Sequence, residues 1–265
     1  MTTVLVAGGT GEAGRAAVAE LLGRGHDVRV LSRHGGTPVA GSHPVAAALI
    51  SGSGLVDALA GVDVVVDTTD GKSRRARPVL TTGAANLLAA AEAVGVARTV
   101  LLSIVNVDRG PLAYYRAKAE QERRYRAARL DTRIVRATQF HSFVPMLCAP
   151  AARVGLLPAF THTAFQPIDV RDVAHALADA TDAPALADIT DGVAQAPEVV
   201  GGPEILPMHD IVRQWKSAAG VRGVVAPIRI PGGLGRFWRA GENLVPEHRD
   251  GAITFAQWLA EQPRD

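Results

Sequence analysis

Two side chains near the middle of the chain have types and a spacing that suit proton transfer. Tyr114 and Lys118 are four residues apart in a segment with helical periodicity, so both side chains are expected on one face of a helix. A tyrosine hydroxyl titrates near pH ~10, and a nearby ammonium group lowers that value. Tyr114 could therefore act as a general acid or base on a carbonyl or alcohol. The adjacent Tyr115 lacks this spacing.

A serine hydroxyl adds to this pair. Ser103 lies at the carboxyl end of a predicted strand, one strand–helix unit before Tyr114. From that position it could orient and polarise a substrate oxygen. A tyrosine–lysine pair on a helix surface is also common by chance, so its interpretation depends on the rest of the chain.

A glycine-rich turn near the N-terminus, Gly8-Gly9-Thr10-Gly11-Glu12-Ala13-Gly14, carries a second chemical signal. It follows an apolar strand, Val4–Ala7, and opens a helix. Gly8 permits the tight turn, Gly11 lets backbone N–H groups approach a ligand, and Gly14 lets the helix pack closely on the strand. Because a helix N-terminus attracts phosphate, the motif predicts a site for the diphosphate of a dinucleotide. The alternative is a glycine-rich turn without a ligand.

The residues at the end of the second predicted strand indicate which dinucleotide binds. An NAD site usually places Asp or Glu about 20 residues further on, to bind the ribose 2′-hydroxyl. Here the sequence is Leu31-Ser32-Arg33-His34, without a carboxylate. Arg33 can pair with a 2′-phosphate and Ser32 can add a hydroxyl donor, so NADP(H) is predicted over NAD(H). Lys118 could then bind the nicotinamide ribose. The alternative for Arg33 is an ordinary exposed arginine.

The elements that must position these residues alternate between apolar strands and helices. This rhythm indicates βαβ units, and we expect an α/β fold: a Rossmann-type doubly wound parallel sheet with a smaller C-terminal substrate lobe. The expected domains are 1–145 and 146–265, with 166–181 returning to the nucleotide domain. The lobe is expected at the carboxyl edge of the sheet, where ligands bind. The weakest strand signal is Val45–Ile50. The other predicted elements are the strands Val4–Ala7, Asp27–Ser32, Val62–Val66, Arg98–Leu102 and Thr132–Val135, and the helices Arg15–Arg24, Leu55–Ala60, Val79–Val94, Tyr114–Arg129, Leu206–Ala219 and Thr254–Glu261.

Composition indicates which classes of protein this chain can belong to. The 265 residues are 48% hydrophobic and 20% charged with a net charge of +2, which fits a globular chain. No apolar run approaches the ~20 residues of a membrane span, and no signal peptide precedes the first strand. A single cysteine, Cys148, excludes an internal disulfide, and no histidine spacing suggests a metal site. These features predict a cytoplasmic protein with a small-molecule substrate, no membrane or nucleic-acid partner and no metal; they allow a homodimer without requiring one.

Taken together, the motifs resemble the short-chain dehydrogenase/reductase superfamily, in particular its atypical, NmrA-like branch of NAD(P)-binding proteins. The resemblance covers roughly residues 3–180. Besides the glycine turn, it rests on the segments Leu59–Val66, Thr82–Leu88, Tyr114–Glu120, Arg136–Phe140 and Gln166–Ala174.

This resemblance implies roles for further residues. Thr10, Gly11, Glu12 and Ala13 would line the phosphates. Thr68 and Thr69 would lie near the adenosine ribose and the bridging phosphates, and Phe140 near the nicotinamide. Ser103, Tyr114 and Lys118 would match the catalytic residues of the superfamily. The family's aspartate after the third strand, which contacts adenine, is absent from Ala48–Gly52.

Three functions are compatible with these expectations. The first is an NADPH-dependent oxidoreductase that transfers a hydride to a small carbonyl or quinone-like substrate. The second is a non-catalytic NADP(H)-binding sensor that contacts a protein partner. The third is an epimerase or isomerase that retains its cofactor.

Overall fold

A seven-stranded parallel sheet forms the centre of the computed structural model, which describes residues 1–32, 39–185 and 195–262. Its strands lie in the order β3-β2-β1-β4-β5-β6-β9, which contains the order 3-2-1-4-5-6 of dinucleotide-binding sheets. The predicted Rossmann-type sheet is therefore confirmed. The strands of the described residues are β1 (Thr3–Ala7), β2 (Asp27–Ser32), β3 (His43–Ala46), β4 (Val64–Asp67), β5 (Arg98–Ile104), β6 (Asp131–Ala137), β7 (Leu156–Phe160), β8 (Ala164–Phe165), β9 (Glu198–Val200), β10 (Leu206–Pro207) and β11 (Val224–Ile228).

Helices connect the parallel strands and cover their apolar residues. The central strands are mainly apolar because both faces of the sheet are covered; all four residues of β4, including Asp67 at its end, are buried. No helix in the described part of the chain has the length and apolar character needed to cross a membrane. The helices are α1 (Glu12–Gly23), α2 (Leu55–Leu59), α3 (Ala84–Val94), α4 (Ala113–Ala127), α5 (Phe143–Ala152), α6 (Val170–Asp182), α7 (Met208–Ala218), α8 (Gly232–Arg239) and α9 (Phe255–Ala260).

The third strand differs from the prediction. It runs over His43–Ala46 rather than within Val45–Ile50. This strand is the edge of the sheet and pairs only with β2, so three of its four residues are exposed and it has no continuous apolar run. It also contains Pro44, which an edge strand tolerates. These features explain why the sequence signal was weak and displaced.

The described residues form two compact units. The first contains Met1–Ser103, Ala113–Arg136 and Val173–Glu198, and the second contains Ile104–Leu112, Ala137–Asp172 and Val199–Asp265. The second unit includes two small sheets, in which β7 pairs with β11 and β8 pairs with β10. The division into functional domains at residue 145 stays a prediction.

The contact between the glycine turn and α1 depends on the absence of a side chain at Gly14. A Cβ atom at this position would lie 2.1 Å from the carbonyl oxygen of Gly8 and 2.7 Å from Cα of Gly9. Those neighbours are backbone atoms and cannot turn away. At Gly23, the last residue of the same helix, an added Cβ would meet nothing within 4 Å.

We therefore expect opposite effects from two alanine substitutions in α1. Gly14→Ala should lower the free energy of unfolding by about 1–3 kcal/mol or more, because the turn must move to admit a methyl group. Gly23→Ala should raise it by up to about 1 kcal/mol, because alanine favours the helix. Urea unfolding followed by circular dichroism measures both values. Equal stabilities of the two variants would contradict the packing described for Gly14.

Candidate functional site

The strand register brings the predicted site residues of the first unit to one edge of the sheet. Ala7 at the end of β1 pairs with Asp67 at the end of β4, and Asp67 pairs with Leu101 in β5. Because these strands are parallel, the residues that follow them leave the sheet side by side. The glycine turn, Thr68–Thr69 and Ser103 therefore lie near one another along the carboxyl ends of the strands.

The glycine turn lies directly against the segment after β4. Gly8 has a φ of 80°, which is left-handed, and a Cβ there would lie 2.9 Å from both the carbonyl carbon of Thr68 and the nitrogen of Thr69. The Gly11 N–H closes the turn by donating to the Gly8 oxygen at 2.9 Å. Only glycine satisfies both the backbone conformation and the close approach at residue 8.

The first turn of α1 presents its N–H groups without a side-chain cap. The helix begins at Glu12, and the capping residue, Gly11, has no side chain to accept from them. Thr10, Gly11 and Glu12 are exposed, whereas Ala13 and Gly14 are buried beneath them. Unsatisfied N–H donors at the positive end of a helix are the chemistry that binds phosphate. The turn and helix thus fit a dinucleotide diphosphate.

The two threonines after β4 are tied to the backbone around them. The Thr68 hydroxyl donates to the Ala7 oxygen at 2.9 Å, and the Thr69 N–H donates to Oδ1 of Asp67 at 2.8 Å. Both threonines are buried. They lie beside Gly8, and their predicted contact with the cofactor ribose stays a prediction.

Lys118 is buried and uses all of its donors inside the protein. Its Nζ donates to the backbone oxygens of Thr69 at 3.2 Å and Leu102 at 2.8 Å, and to Oε1 of Gln121 at 3.0 Å. An ammonium group has three N–H donors, so these acceptors satisfy it completely. Burial lowers the pKa of Lys118, and the opposing effect of nearby carboxylates, Asp67 first, does not cancel that shift.

Sequence reasoning missed the buried network that holds this lysine, which comprises Lys118, Gln121, Tyr125 and Asp67. Gln121 accepts from Lys118 and donates from Nε2 to Oδ2 of Asp67 at 2.9 Å. The Tyr125 hydroxyl donates to the same oxygen at 2.7 Å. Burial, together with the Asp67 charge, raises the pKa of Tyr125 well above its usual value. The available signal was spacing: Gln121 and Tyr125 follow Lys118 by three and seven residues, on one helix face.

A second buried carboxylate lies one turn beyond Lys118. Glu122 accepts two hydrogen bonds from Arg136, at 2.9 and 2.7 Å, and one from Arg126 at 3.2 Å. Burial opposes its ionisation, but Arg136, with smaller contributions from Ser103 and Arg126, holds the pKa of Glu122 below its usual range. The Ser103 hydroxyl is buried beside this carboxylate, yet at normal hydrogen-bond geometry it has no partner among the described residues.

Tyr114 interacts with Asp70 and not with Lys118. It lies in the first turn of α4 and is half-buried. Burial raises the pKa of Tyr114, and the charge of Asp70 and a hydrogen bond with its carboxylate raise it further. The expectation that Lys118 lowers this pKa is therefore wrong, because Lys118 bonds elsewhere. In this arrangement Tyr114 keeps its proton at neutral pH and is a weaker acid than a free tyrosine.

The remaining predicted site residues are Ser32, Arg33 and Phe140. Ser32 ends β2 and is half-buried. Arg33 lies outside the described residues. Phe140 belongs to the second unit, where it forms a single parallel bridge with Ile168. The roles assigned to these three residues stay predictions.

Comparison with known proteins agrees with the chemistry of the turn. Residues 8–184 match the profile of a family described as NAD(P)H-binding. No curated protein matches the sequence.

Solved structures share the fold over almost the whole chain. A short-chain dehydrogenase/reductase superfamily protein from Agrobacterium tumefaciens with bound NAD is 20% identical, with a TM-score of 0.73, covering 98% of this chain and 95% of its own. An NADPH-dependent quinone oxidoreductase from Escherichia coli, complexed with NADPH, is 15% identical, with a TM-score of 0.74 and coverages of 97% and 98%. A nucleoside-diphosphate-sugar epimerase from Staphylococcus aureus is 17% identical, with a TM-score of 0.74 and coverages of 98% and 100%. At these identities the likeness establishes the fold alone.

The contact between Tyr114 and Asp70 has a measurable consequence for titration. Asp70→Asn removes the negative charge, so we expect the pKa of Tyr114 to fall and one tyrosine to ionise at lower pH. Absorbance at 295 nm during an alkaline titration follows this ionisation, and the chain has only three tyrosines.

The control for this titration is the same substitution in a Tyr114→Phe background, where Asp70→Asn should leave the curve unchanged. Asp57→Asn, at an exposed position in α2, should have no effect in either background. A curve that does not move with Asp70→Asn would show that Asp70 does not act on Tyr114.

Proposed function

Because the chain belongs to the NAD(P)H-binding family, within the short-chain dehydrogenase/reductase superfamily, we propose that it is an NADPH-dependent oxidoreductase acting on a small carbonyl or quinone-like substrate. One observation carries this proposal: the N-terminus of α1, which no side chain caps, and Tyr114, which interacts with Asp70 just after β4, belong to the same unit, and β4 is the neighbour of β1 in the sheet. A site for diphosphate and a site for proton donation are thus part of one sheet edge.

The residues of the chain have distinct tasks in this proposal. The backbone N–H groups after Gly11 bind the diphosphate, and Gly8 and Gly14 keep that surface free of side chains. When bound, the nicotinamide supplies the hydride. Tyr114 donates a proton to the substrate oxygen, and Ser103, whose hydroxyl has no partner at normal hydrogen-bond geometry in the described chain, orients that oxygen.

Lys118 contributes indirectly. Its bonds to the oxygens of Thr69 and Leu102 hold α4 against the ends of β4 and β5, which fixes Tyr114 one turn earlier on the same helix. A role in binding the nicotinamide ribose requires Lys118 to exchange one of these three acceptors for the ribose.

The preference for NADPH is the finer part of the proposal. It rests on Ser32, the last residue of β2, and on Arg33, the next residue in the sequence, because this segment contains no carboxylate to bind a ribose 2′-hydroxyl. A guanidinium group pairs with a 2′-phosphate through two parallel hydrogen bonds.

A second candidate function, a non-catalytic NADP(H) sensor, is favoured by the state of the Tyr114–Lys118 pair. The lysine donors are all engaged within the protein, and the pKa of Tyr114 is raised rather than lowered. Both features reduce the power of the pair as a proton shuttle without weakening the diphosphate site.

Calorimetric titration tests the cofactor assignment. We expect NADPH to bind more tightly than NADH, and Arg33→Ala to weaken NADPH binding about tenfold or more while leaving NADH binding unchanged. Arg222→Ala, at an exposed arginine of the second unit, is the matched control and should change neither affinity. An unaltered NADPH-to-NADH preference in Arg33→Ala overturns the role of Arg33. If neither cofactor binds at millimolar concentration, the whole proposal fails.

Turnover separates the enzyme from the sensor. Loss of NADPH absorbance is followed with a panel of aldehydes, ketones and quinones. Tyr114→Phe should reduce kcat by about 10²–10⁴-fold without changing NADPH affinity, because only proton donation is lost. Tyr115→Phe, the adjacent tyrosine, serves as the control and should retain activity. Tight NADPH binding with no turnover by the unaltered protein across the panel supports the sensor.

A further inference from the structure

The second unit contains a cavity that the proposed chemistry does not use. Its volume is about 510 Å³, which lies in the range of small-molecule sites. Its wall is mainly apolar and comes from the end of β7, the turn that follows, the start of α7 and the end of α8. All of the lining residues belong to the second unit.

One wall of the cavity is a fixed aromatic surface. Phe160 and Trp238 stack with their ring centres 5.3 Å apart and their planes 16° from parallel, and Phe165 meets Trp238 edge-on at 5.3 Å. Met208, which is fully buried, also lines the cavity. The Trp238 N–H is buried and has no hydrogen-bond partner in the described part of the chain. Phe160 and Trp238 are each less than a tenth exposed, so a ring that enters the cavity would pack against the small part of this aromatic wall that stays open.

The ionisable side chains that line the cavity are all basic. Among the lining residues, those that can carry charge are His162, His209 and Arg239. Nη1 of Arg239 donates to the Ile230 oxygen at 3.0 Å, and the described residues offer its guanidinium no carboxylate within ion-pair distance. Asp210 contacts Nδ1 of His209 at 3.5 Å but does not line the cavity. The cavity therefore favours an anion.

The rim of the cavity is held in one conformation before any ligand arrives. His162 has a φ of 56°, one of two positive values at non-glycine residues in the described chain. Hydrogen bonds fix the turn around it: Thr161 N–H to the Ile228 oxygen at 3.0 Å, and the Thr163 hydroxyl to the Phe160 oxygen at 2.9 Å. Rare backbone conformations held in this way concentrate at ligand sites.

We propose that this cavity binds a planar aromatic carboxylate, with its ring on the Phe160–Trp238 wall and its acid group on Arg239. The apolar wall provides affinity by burial of the ring, and the guanidinium provides selection for the acid through charge-assisted hydrogen bonds. The residues that line this site belong to the second unit, whereas the residues of the proposed redox function belong to the first.

Calorimetry with 2-naphthoate and its neutral analogue 2-naphthamide tests the site on the full chain. We expect 2-naphthoate to bind, and Arg239→Gln to weaken it about tenfold or more while leaving 2-naphthamide binding unchanged. Arg236→Gln, at an exposed arginine one turn earlier in α8 that does not line the cavity, is the matched control and should alter neither. Thr161→Trp should fill the cavity and abolish binding of both probes, with folding checked by circular dichroism.

Three results would overturn the proposal: no uptake of 2-naphthoate at millimolar concentration, equal 2-naphthoate affinity with Gln at position 239, or unchanged binding after Thr161→Trp. The NADPH titration described above decides the redox function separately, because none of the three substitutions in the second unit is expected to change NADPH affinity. Failure of one proposal is therefore distinguishable from failure of the other.

Discussion

The oppositely charged groups of Lys118 and Asp67 are buried at the ends of β4 and β5. The candidate active site depends on the hydrogen bonds that replace water around these two charges. A buried charge is tolerated only when hydrogen bonds replace its water. Gln121 links the two groups, while backbone oxygens complete the lysine and Tyr125 completes the aspartate. Since the bonds of Lys118 to Leu102, and of Gln121 and Tyr125 to Asp67, join α4 to β5 and β4, the network ties α4 to the sheet edge. The position of Tyr114 follows from it.

The diphosphate surface and the proton-donating surface are built by different physical means. The first is made of backbone: the steric limits at Gly8 and Gly14 and the N–H groups in the first turn of α1, which no side chain caps, need no particular side chain. The second is made of side chains whose protonation depends on burial and neighbouring charge. A chain could therefore keep its affinity for a nicotinamide cofactor while the side chains that set its chemistry, among them Tyr114, Lys118 and Asp70, change.

In the second unit the proposed site depends on side chains that packing brings together, and not on a local backbone motif. Its sequence has no glycine motif and no spacing typical of catalysis, and its features come from packing. Phe160 and Trp238 are 78 residues apart in the chain but stack in space, and the basic groups meet them only because the turn after β7 and the end of α8 enclose one cavity. No local pattern predicts such a site.

The sequence alone determined the features that depend on near neighbours in the chain. The strand, glycine turn and first helix follow from local sterics, and the alternating apolar runs determine a parallel sheet covered on both faces. The displaced third strand shows the limit, since an exposed edge strand has little apolar pattern to read. Spacing placed Tyr114 and Lys118 on one helix face but could not identify their partners. Those partners, Asp70 and the oxygens of Thr69 and Leu102, come from other elements. Only the tertiary structure decided which charged groups are buried together. Burial and the neighbouring charges in turn set the protonation of each group.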